Sequence, residues 1–336
     1  MTDFFFNNIR LPSKDELLQK SKKSLEVLKN EDSLYRPLNI EGNPGGLLDF
    51  FSDSLPVIVI PDLHARPYFL KNILEYKILP EINFVKSDKE ETVFSALENK
   101  LLRVVFLGDA LHSEKTTVER WKSALADFEN DIYDGDFMKE EMKYGLSLLM
   151  DLMELKIKFP SHFHFLKGNH ENIKNARSGG DFPFRKYADE GNMVKSFMEQ
   201  VYGKETLDTI FQFEKNLPLL YASSSCFVSH AEPAFCFSRE EIINSVLFSE
   251  VVTGLTWTDN GDAVQNSVIE TISEISPVKF TENPVWISGH RPVQENYKSK
   301  YKGAFIQIHN PLKQNIVMVS ENKKFNPESD IVGVEK

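Results

Sequence analysis

Five short segments of the chain contain side chains that can hold a metal ion or transfer a proton. They are Asp62-Leu63-His64, Gly108-Asp109, Gly168-Asn169-His170-Glu171, His230 and Gly289-His290. Carboxylate, imidazole and amide groups together suit borderline-hard divalent ions such as Mn, Fe or Zn. An ionised aspartate can also bridge two ions, because it has two oxygens and about four lone-pair sites. One such segment would mean little, but five in one chain predict a shared metal site.

The third segment is the most informative of the five. Apolar residues give way to polar ones at Gly168, which predicts a buried strand followed by a tight loop that presents Asn169 and His170. An imidazole such as that of His170 can take or give a proton near neutral pH. The alternative for this segment is an ordinary strand end with solvated polar residues. For Asp62 and His64 the alternative is a local turn at the aspartate and a solvated histidine.

Each segment follows an apolar run that can form a buried strand. These runs occupy residues 55–60, 103–107, 163–166, 225–229 and 284–288. Helical patterns separate several of them, and sheets of this α/β class place their chemistry at the carboxyl ends of the strands. Ser13 and Glu16 form a capping-box pattern, which predicts a helix through about residue 28. Residues 301–308 and 315–319 suggest a closing hairpin.

Length, charge and composition exclude several classes of function. The chain has 336 residues, a net charge of -11 and only two cysteines. A broad nucleic-acid surface is not expected, because such surfaces are basic. No apolar run reaches the length of a membrane span, and no secretion signal is visible. We therefore expect a cytoplasmic protein with an N-terminal arm at 1–45, a catalytic domain at 46–322 and a loose tail at 323–336.

In their order, the five segments resemble the calcineurin-like metallophosphoesterase superfamily, whose pattern is D-x-H, G-D, G-N-H-E, H and G-H. The chain looks most like the serine/threonine phosphoprotein phosphatase branch. Two further segments are similar to that branch, namely Leu217-Pro218-Leu219 and Thr256-Trp257-Thr258-Asp259. The resemblance covers about residues 55–320. It implies an α/β (α+β) fold, a four-layer sandwich of two mixed β-sheets flanked by helices.

The resemblance also implies a role for each matching residue. Its ligands for two divalent ions (Mn, Fe or Zn) are Asp62 and His64 for the first, Asp109 for both, and Asn169, His230 and His290 for the second. Asp109 is thereby catalytic as well as a ligand, and His170 protonates the leaving oxygen. The implied reaction is hydrolysis of phosphomonoesters, on a phosphoprotein or a small phosphorylated metabolite. The alternatives are a hydrolase of dinucleoside polyphosphates and a non-catalytic scaffold protein that keeps the metal site.

The second motif departs from the G-D-x-V-D-R-G of that branch. His112 replaces a supporting aspartate, and Ser113 replaces a phosphate-binding arginine. An arginine fork matches a phosphate group well, so we expect a substitute for the missing residue. The candidates are Arg66, Arg177, Arg291 and His112, and each arginine is equally open to a surface salt bridge. The helical segment 114–157 is a candidate lid over the site.

Overall fold

The computed structural model describes residues 9–53, 55–114, 117–280, 284–320 and 323–335. The strands are β1 (Leu47–Asp49), β2 (Val57–Ile60), β3 (Lys77–Ile78), β4 (Glu91–Thr92), β5 (Arg103–Phe106), β6 (Phe163–Phe165), β7 (Leu220–Ala222), β8 (Cys226–Ser229), β9 (Val285–Ser288), β10 (Lys298–Lys300), β11 (Phe305–Gln307), β12 (Asn315–Val319) and β13 (Ile331–Gly333). The helices are α1 (Lys14–Lys29), α2 (Pro67–Leu74), α3 (Val93–Glu98), α4 (Val118–Phe128), α5 (Asp136–Lys158), α6 (Glu190–Val201), α7 (Gly203–Lys215), α8 (Arg239–Ile243), α9 (Ser249–Thr256), α10 (Ser267–Ile275) and α11 (Pro327–Asp330). Short 3₁₀ turns lie at Pro80–Ile82 and Tyr301–Gly303.

Most strands belong to two mixed sheets. One has five strands in the order β13-β12-β2-β5-β6, and the other has six in the order β1-β7-β8-β9-β11-β10. The neighbours β2, β5 and β6 are parallel, as are β8, β9 and β11. Parallel neighbours have their carboxyl ends at the same edge, so six strand ends can meet where the two sheets face each other.

Alternating side chains fill the space on both faces of each sheet, as the period of two in a strand requires. In β2, Val57 and Val59 belong to the apolar core between the sheets, whereas Ile58 and Ile60 face the core beneath one helical layer. In β9, Trp286 faces a third core beneath the other helices. The result is helix, sheet, sheet, helix, and the predicted four-layer fold is confirmed.

The N-terminal helix is present with the predicted cap. Ser13 and Glu16 form a capping box at the start of α1. Leu17 and Leu28 are buried and join the core beneath the five-stranded sheet. The helix therefore packs into the helical layer of the domain. Leu17, near its start, and Leu28, near its end, both contact the core.

Two expectations for the C-terminal part were wrong. Strand β11 pairs with β9 in one sheet, while β12 pairs with β2 in the other, so 301–308 and 315–319 do not form a hairpin. The tail is not loose in its described part, because β13 pairs antiparallel with β12. Both errors concern pairing between distant strands, which a local pattern does not specify.

The segment expected to form a lid is largely structural. Leu146, Leu149 and Leu152 of α5 are buried in the core beneath the five-stranded sheet. Trp121 of α4 is also fully buried. Within the described residues 117–157, these helices thus belong to the covering layer. Across the described chain, no helix has both the length and the apolar character needed to traverse a bilayer.

Candidate metal centre

The predicted site residues converge at the carboxyl ends of strands from both sheets. His64, Asp109 and His290 all have positive φ angles, of 44°, 61° and 63°. Such backbone is uncommon for residues other than glycine and clusters at functional sites. Hydrogen bonds hold it in place: the His64 amide donates to the Asp109 carbonyl oxygen over 2.8 Å, and the His290 amide donates to Asp62 Oδ2 over 2.9 Å.

Glu171 ties the ends of β5 and β6 together. Its carboxylate accepts the backbone N–H groups of Asp109 and Gly168 at 2.8 Å and of Ala110 at 3.0 Å. The two loops approach so closely that a Cβ on Gly108 would lie 2.4 Å from the Gly168 nitrogen. Glu171, the last residue of the G-N-H-E motif, therefore holds the two loops of the candidate site together. The local sequence pattern did not reveal this role.

Hydrogen bonds at the back of two histidines decide where their lone pairs point. Nδ1 of His64 lies 2.9 Å from the His112 carbonyl oxygen, and Nδ1 of His230 lies 2.9 Å from that of Leu107. A carbonyl oxygen only accepts, so both Nδ1 atoms carry the proton. Both Nε2 lone pairs then face Asp109 Oδ2, at 3.6 Å and 3.4 Å.

A second set of lone pairs meets at Asn169. Its Oδ1 lies 2.9 Å from His230 Nε2 and 3.1 Å from His290 Nδ1. Since His230 carries its proton on Nδ1, its Nε2 and the amide oxygen are two acceptors that face each other. Acceptors brought this close without a proton between them form a pocket for a cation.

Burial and charge favour a cation in the same place. Asp62 and Asp109 are 0% and 1% exposed. Burial raises the pKa of Asp62 to about 6, and burial together with the Glu171 and Asp62 carboxylates raises the pKa of Asp109. Burial lowers the pKa of His64 to about 3, which keeps the ring neutral. Asp62 Oδ1 and His290 Nε2 are buried and have no hydrogen-bond partner in the described chain. These donors fit a divalent metal centre.

Comparisons with known proteins are informative only at the level of structure. No family model and no curated protein matches the sequence. A protein serine/threonine phosphatase from Saccharomyces cerevisiae, with similarity to human phosphatase PP5, aligns with a TM-score of 0.54 and 12% identity over 96% of this chain and 89% of that one. This chain has the metallophosphoesterase fold. The predicted resemblance is confirmed at that level.

Two further solved structures align with most of this chain at lower TM-scores. A cold-active protein-tyrosine phosphatase of a Shewanella species has a TM-score of 0.44 and 14% identity over 80% of this chain and 76% of that one. A candidate diadenosine tetraphosphatase has a TM-score of 0.42 and 13% identity over 86% and 96% of the two chains.

His170 lies beside Asp109 in the candidate metal centre. Its Nε2 is 3.7 Å from Asp109 Oδ2, and its ring packs on Phe184 with centroids 3.8 Å apart. His112, which replaces the supporting aspartate, lies with its ring 5.2 Å from that of His170. Burial lowers the pKa of His112 to about 4, and neither of its ring nitrogens has a hydrogen-bond partner among the described residues. A neutral ring thus lies where the phosphatase branch has an aspartate.

The three candidate arginines have different surroundings. Arg66 donates to the carbonyl oxygens of Asp62, Leu63, Asn310 and Lys313, so its guanidinium is occupied by backbone. Arg177 is exposed and lies 5.9 Å from the centre of the Phe182 ring. Arg291 donates to Asp259 over 2.6 Å. Of the three, Arg291 directly follows His290, a candidate metal ligand.

Three residues near the centre, His309, Glu114 and Lys186, were absent from the site predicted from the sequence. His309 is fully buried, with Nδ1 3.3 Å from Asp62 Oδ2 and Nε2 3.0 Å from Glu114 Oε2. Lys186 pairs with Glu114 over 2.6 Å. A signal for His309 did exist, since it follows the apolar run of β11. The predicted hairpin had assigned that position to a turn.

Proposed function

We propose that this protein is a dinuclear-metal-dependent phosphatase that hydrolyses phosphomonoesters. The observation that carries the proposal is the convergence of lone-pair donors from both sheets around Asp109 Oδ2. A carboxylate with donors on either side is suited to bridge two ions. The name of the yeast protein, a serine/threonine phosphatase, supports the same class of reaction.

We propose for each ligand the assignment that the family resemblance implied. The ligands are Asp62 and His64 for one ion, Asp109 for both, and Asn169, His230 and His290 for the other. Two such ions, which we propose to be Mn, Fe or Zn, would polarise phosphoryl oxygens and lower the pKa of a water molecule. The protein's part is to orient the donors and hold them in place. The backbone acceptors behind His64 and His230 leave both Nε2 lone pairs free, and the hydrogen bonds of Glu171 fix the loop that carries Asp109.

We propose His170 as the group that protonates the leaving oxygen. Burial, and then the neighbouring histidines, lowers the pKa of His170, so the free protein holds this ring neutral. A phosphate dianion beside the ring favours its charged form. Substrate binding therefore supplies the condition under which His170 can act as an acid, and Phe184 fixes the plane of the ring.

Two cations beside the centre are proposed to bind the substrate's phosphoryl group. Burial, and after it the charge of Arg291, lowers the pKa of His290 to about 3, and the charge of Lys186 acts in the same direction. Both cations are therefore close enough to His290 to act on its ring. Lys186 is one-third exposed and lies on the loop that also carries Phe184. A phosphorylated protein or small metabolite in a cytoplasmic setting remains the proposed substrate.

The test combines metal content with hydrolysis of p-nitrophenyl phosphate, for the wild type and for Asp109→Asn. Two ions per chain and turnover in the wild type, with both lost in the variant, would support the proposal. His162→Asn is the matched control, because this half-buried histidine bonds Ser161 and is not one of the proposed ligands.

The same assay separates the alternatives. Turnover of a dinucleoside polyphosphate without turnover of any monoester would favour that hydrolase class. Binding of two ions with no turnover of monoesters, diesters or dinucleotides would favour a metal-binding scaffold protein.

A further inference from the structure

We propose that His309 is an additional ligand of the first ion, held in position by Glu114. The inference rests on the proposed metal centre and adds a residue that none of the five motifs contains. His309 follows β11 of the six-stranded sheet, whereas Asp62 and His64 follow β2 of the five-stranded sheet. The first ion would therefore be held, like the second, by residues from both sheets.

Glu114 determines which nitrogen of His309 carries the proton. Its Oε2 lies 3.0 Å from His309 Nε2, within hydrogen-bond range. A carboxylate accepts this hydrogen bond, so the proton is on Nε2 and the lone pair is on Nδ1. Metal-binding histidines commonly donate their other N–H to a carboxylate in this way, which fixes the ring and raises its basicity as a ligand.

The free lone pair of His309 points toward the proposed ion. Nδ1 lies 3.3 Å from Asp62 Oδ2, and the rings of His309 and His64 are 5.1 Å apart. Ligand atoms of Asp62, His64 and His309 all lie within 4.8 Å of one another.

The competing explanation is a charged His309 that bridges two carboxylates. That arrangement requires Nδ1 to donate to Asp62. Nδ1 is buried without a hydrogen-bond partner in the described chain, and Asp62 Oδ2 instead accepts the His290 amide. The geometry at Nδ1 therefore favours a lone pair over a donated proton.

The backbone around His309 is built to hold the ring beside the first motif. Arg66 donates to the carbonyl oxygens of Asp62 and Asn310, which joins the two segments directly. The Val293 amide donates to the His309 carbonyl oxygen over 2.8 Å. This explains why Arg66 is occupied by backbone.

The same inference gives a reason for the altered second motif. Glu114 stands where the phosphatase branch has glycine, and its other oxygen binds Lys186. One oxygen of the Glu114 carboxylate can thus accept a hydrogen bond from His309, while Lys186 balances the negative charge of Glu114.

The experiment measures binding of Mn²⁺ and Co²⁺ by competition titration, with the visible spectrum of the Co²⁺ form as a second readout. We expect His309→Asn to weaken the binding of one of the two ions by more than roughly 10–100-fold, the loss that is typical when a group hydrogen-bonded to a metal ligand is removed. The variant should also change the Co²⁺ spectrum. The ion at Asn169, His230 and His290 should keep its affinity. His162→Asn should bind both ions like the wild type.

Variants of Glu114 test its positioning role. Glu114→Gln keeps an oxygen that accepts the His309 proton, so it should weaken the same ion less than Glu114→Ala does. Lys186→Met removes the ion pair between Lys186 and Glu114 but leaves the contact between Glu114 and His309. It should keep the affinity for each metal ion within about threefold of the wild type, a change of roughly 0.6 kcal/mol.

The outcomes distinguish this inference from the proposed function. If the wild type binds two ions and His309→Asn binds both equally tightly, the inference is overturned while the dinuclear proposal stands. A lower melting temperature of the metal-free His309→Asn protein with unchanged affinities would establish the bridging imidazolium instead. If the wild type binds no ion, the proposed function fails, and the inference with it.

Discussion

At the scale of single residues, the centre depends on which nitrogen of each histidine carries a proton. Backbone carbonyl groups behind His64 and His230 direct both lone pairs toward Asp109. His170 is different, because its Nδ1 is buried without a partner in the described residues and its ring lies on Phe184. It is held by packing, which agrees with a role in proton transfer.

Replacing His170 by asparagine should slow turnover without removing metal. A general acid contributes roughly 10²–10⁴-fold, so kcat should fall by that order for phenyl phosphate. The loss should be smaller for p-nitrophenyl phosphate, whose leaving group needs less protonation. Steady-state kinetics with both esters, together with metal content, check this. Equal losses for the two esters, or loss of metal, would contradict the proposed role.

At the scale of elements, the helical layer contains a partly buried acid whose charge opposes folding. Asp151 of α5 is partly buried beside α1, and burial raises its pKa to about 8 while Lys20 acts in the opposite direction. A raised pKa means that the folded state binds more protons than the unfolded state. Stability therefore falls as pH rises from the unfolded pKa toward the folded one.

Replacing Asp151 by asparagine should stabilise the protein at pH 8 but not near pH 4. The gain should appear between about pH 4, the usual pKa of an aspartate, and the folded value of about 8. We expect at least about 1 kcal/mol at pH 8, since one pKa unit corresponds to about 1.4 kcal/mol. Urea unfolding at several pH values measures it. Glu199→Gln, an exposed change on α6, is the control and should show no such trend.

At the scale of the whole molecule, the proposed metal centre joins the two sheets. Asp62 and Asp109 follow strands of the five-stranded sheet, whereas His230 and His290 follow strands of the six-stranded sheet. A ligand that binds only the folded state stabilises it by mass action. An ion held by both sheets should thus oppose their separation.

Removing metal with a chelator should lower the melting temperature of the whole domain. At a free ion concentration 100 times the dissociation constant, the expected stabilisation is about 2.7 kcal/mol per site. Differential scanning calorimetry with added Mn²⁺ or with chelator measures the difference. Asp109→Asn should melt at nearly the same temperature in both conditions, and a metal-dependent shift in that variant would argue against a centre organised around Asp109.

The sequence by itself determined the strand ends and the chemistry they carry. Apolar runs followed by Asp, His or Asn are local patterns, and Asp62, Asp109, Asn169, His230 and His290 all lie where such patterns placed them. The capping box at Ser13 was predictable for the same reason, since its hydrogen bonds join residues three positions apart.

Only the tertiary structure decided how distant segments combine. β11 joins β9 and β12 joins β2, and these pairings depend on packing between residues far apart in the chain. That packing brings His309 to Asp62 and commits Arg66 to backbone carbonyl groups, which removes it as a free phosphate ligand. Local patterns specify which side chains lie at the end of a strand, whereas the packing of the two sheets against each other decides which strand ends lie close together.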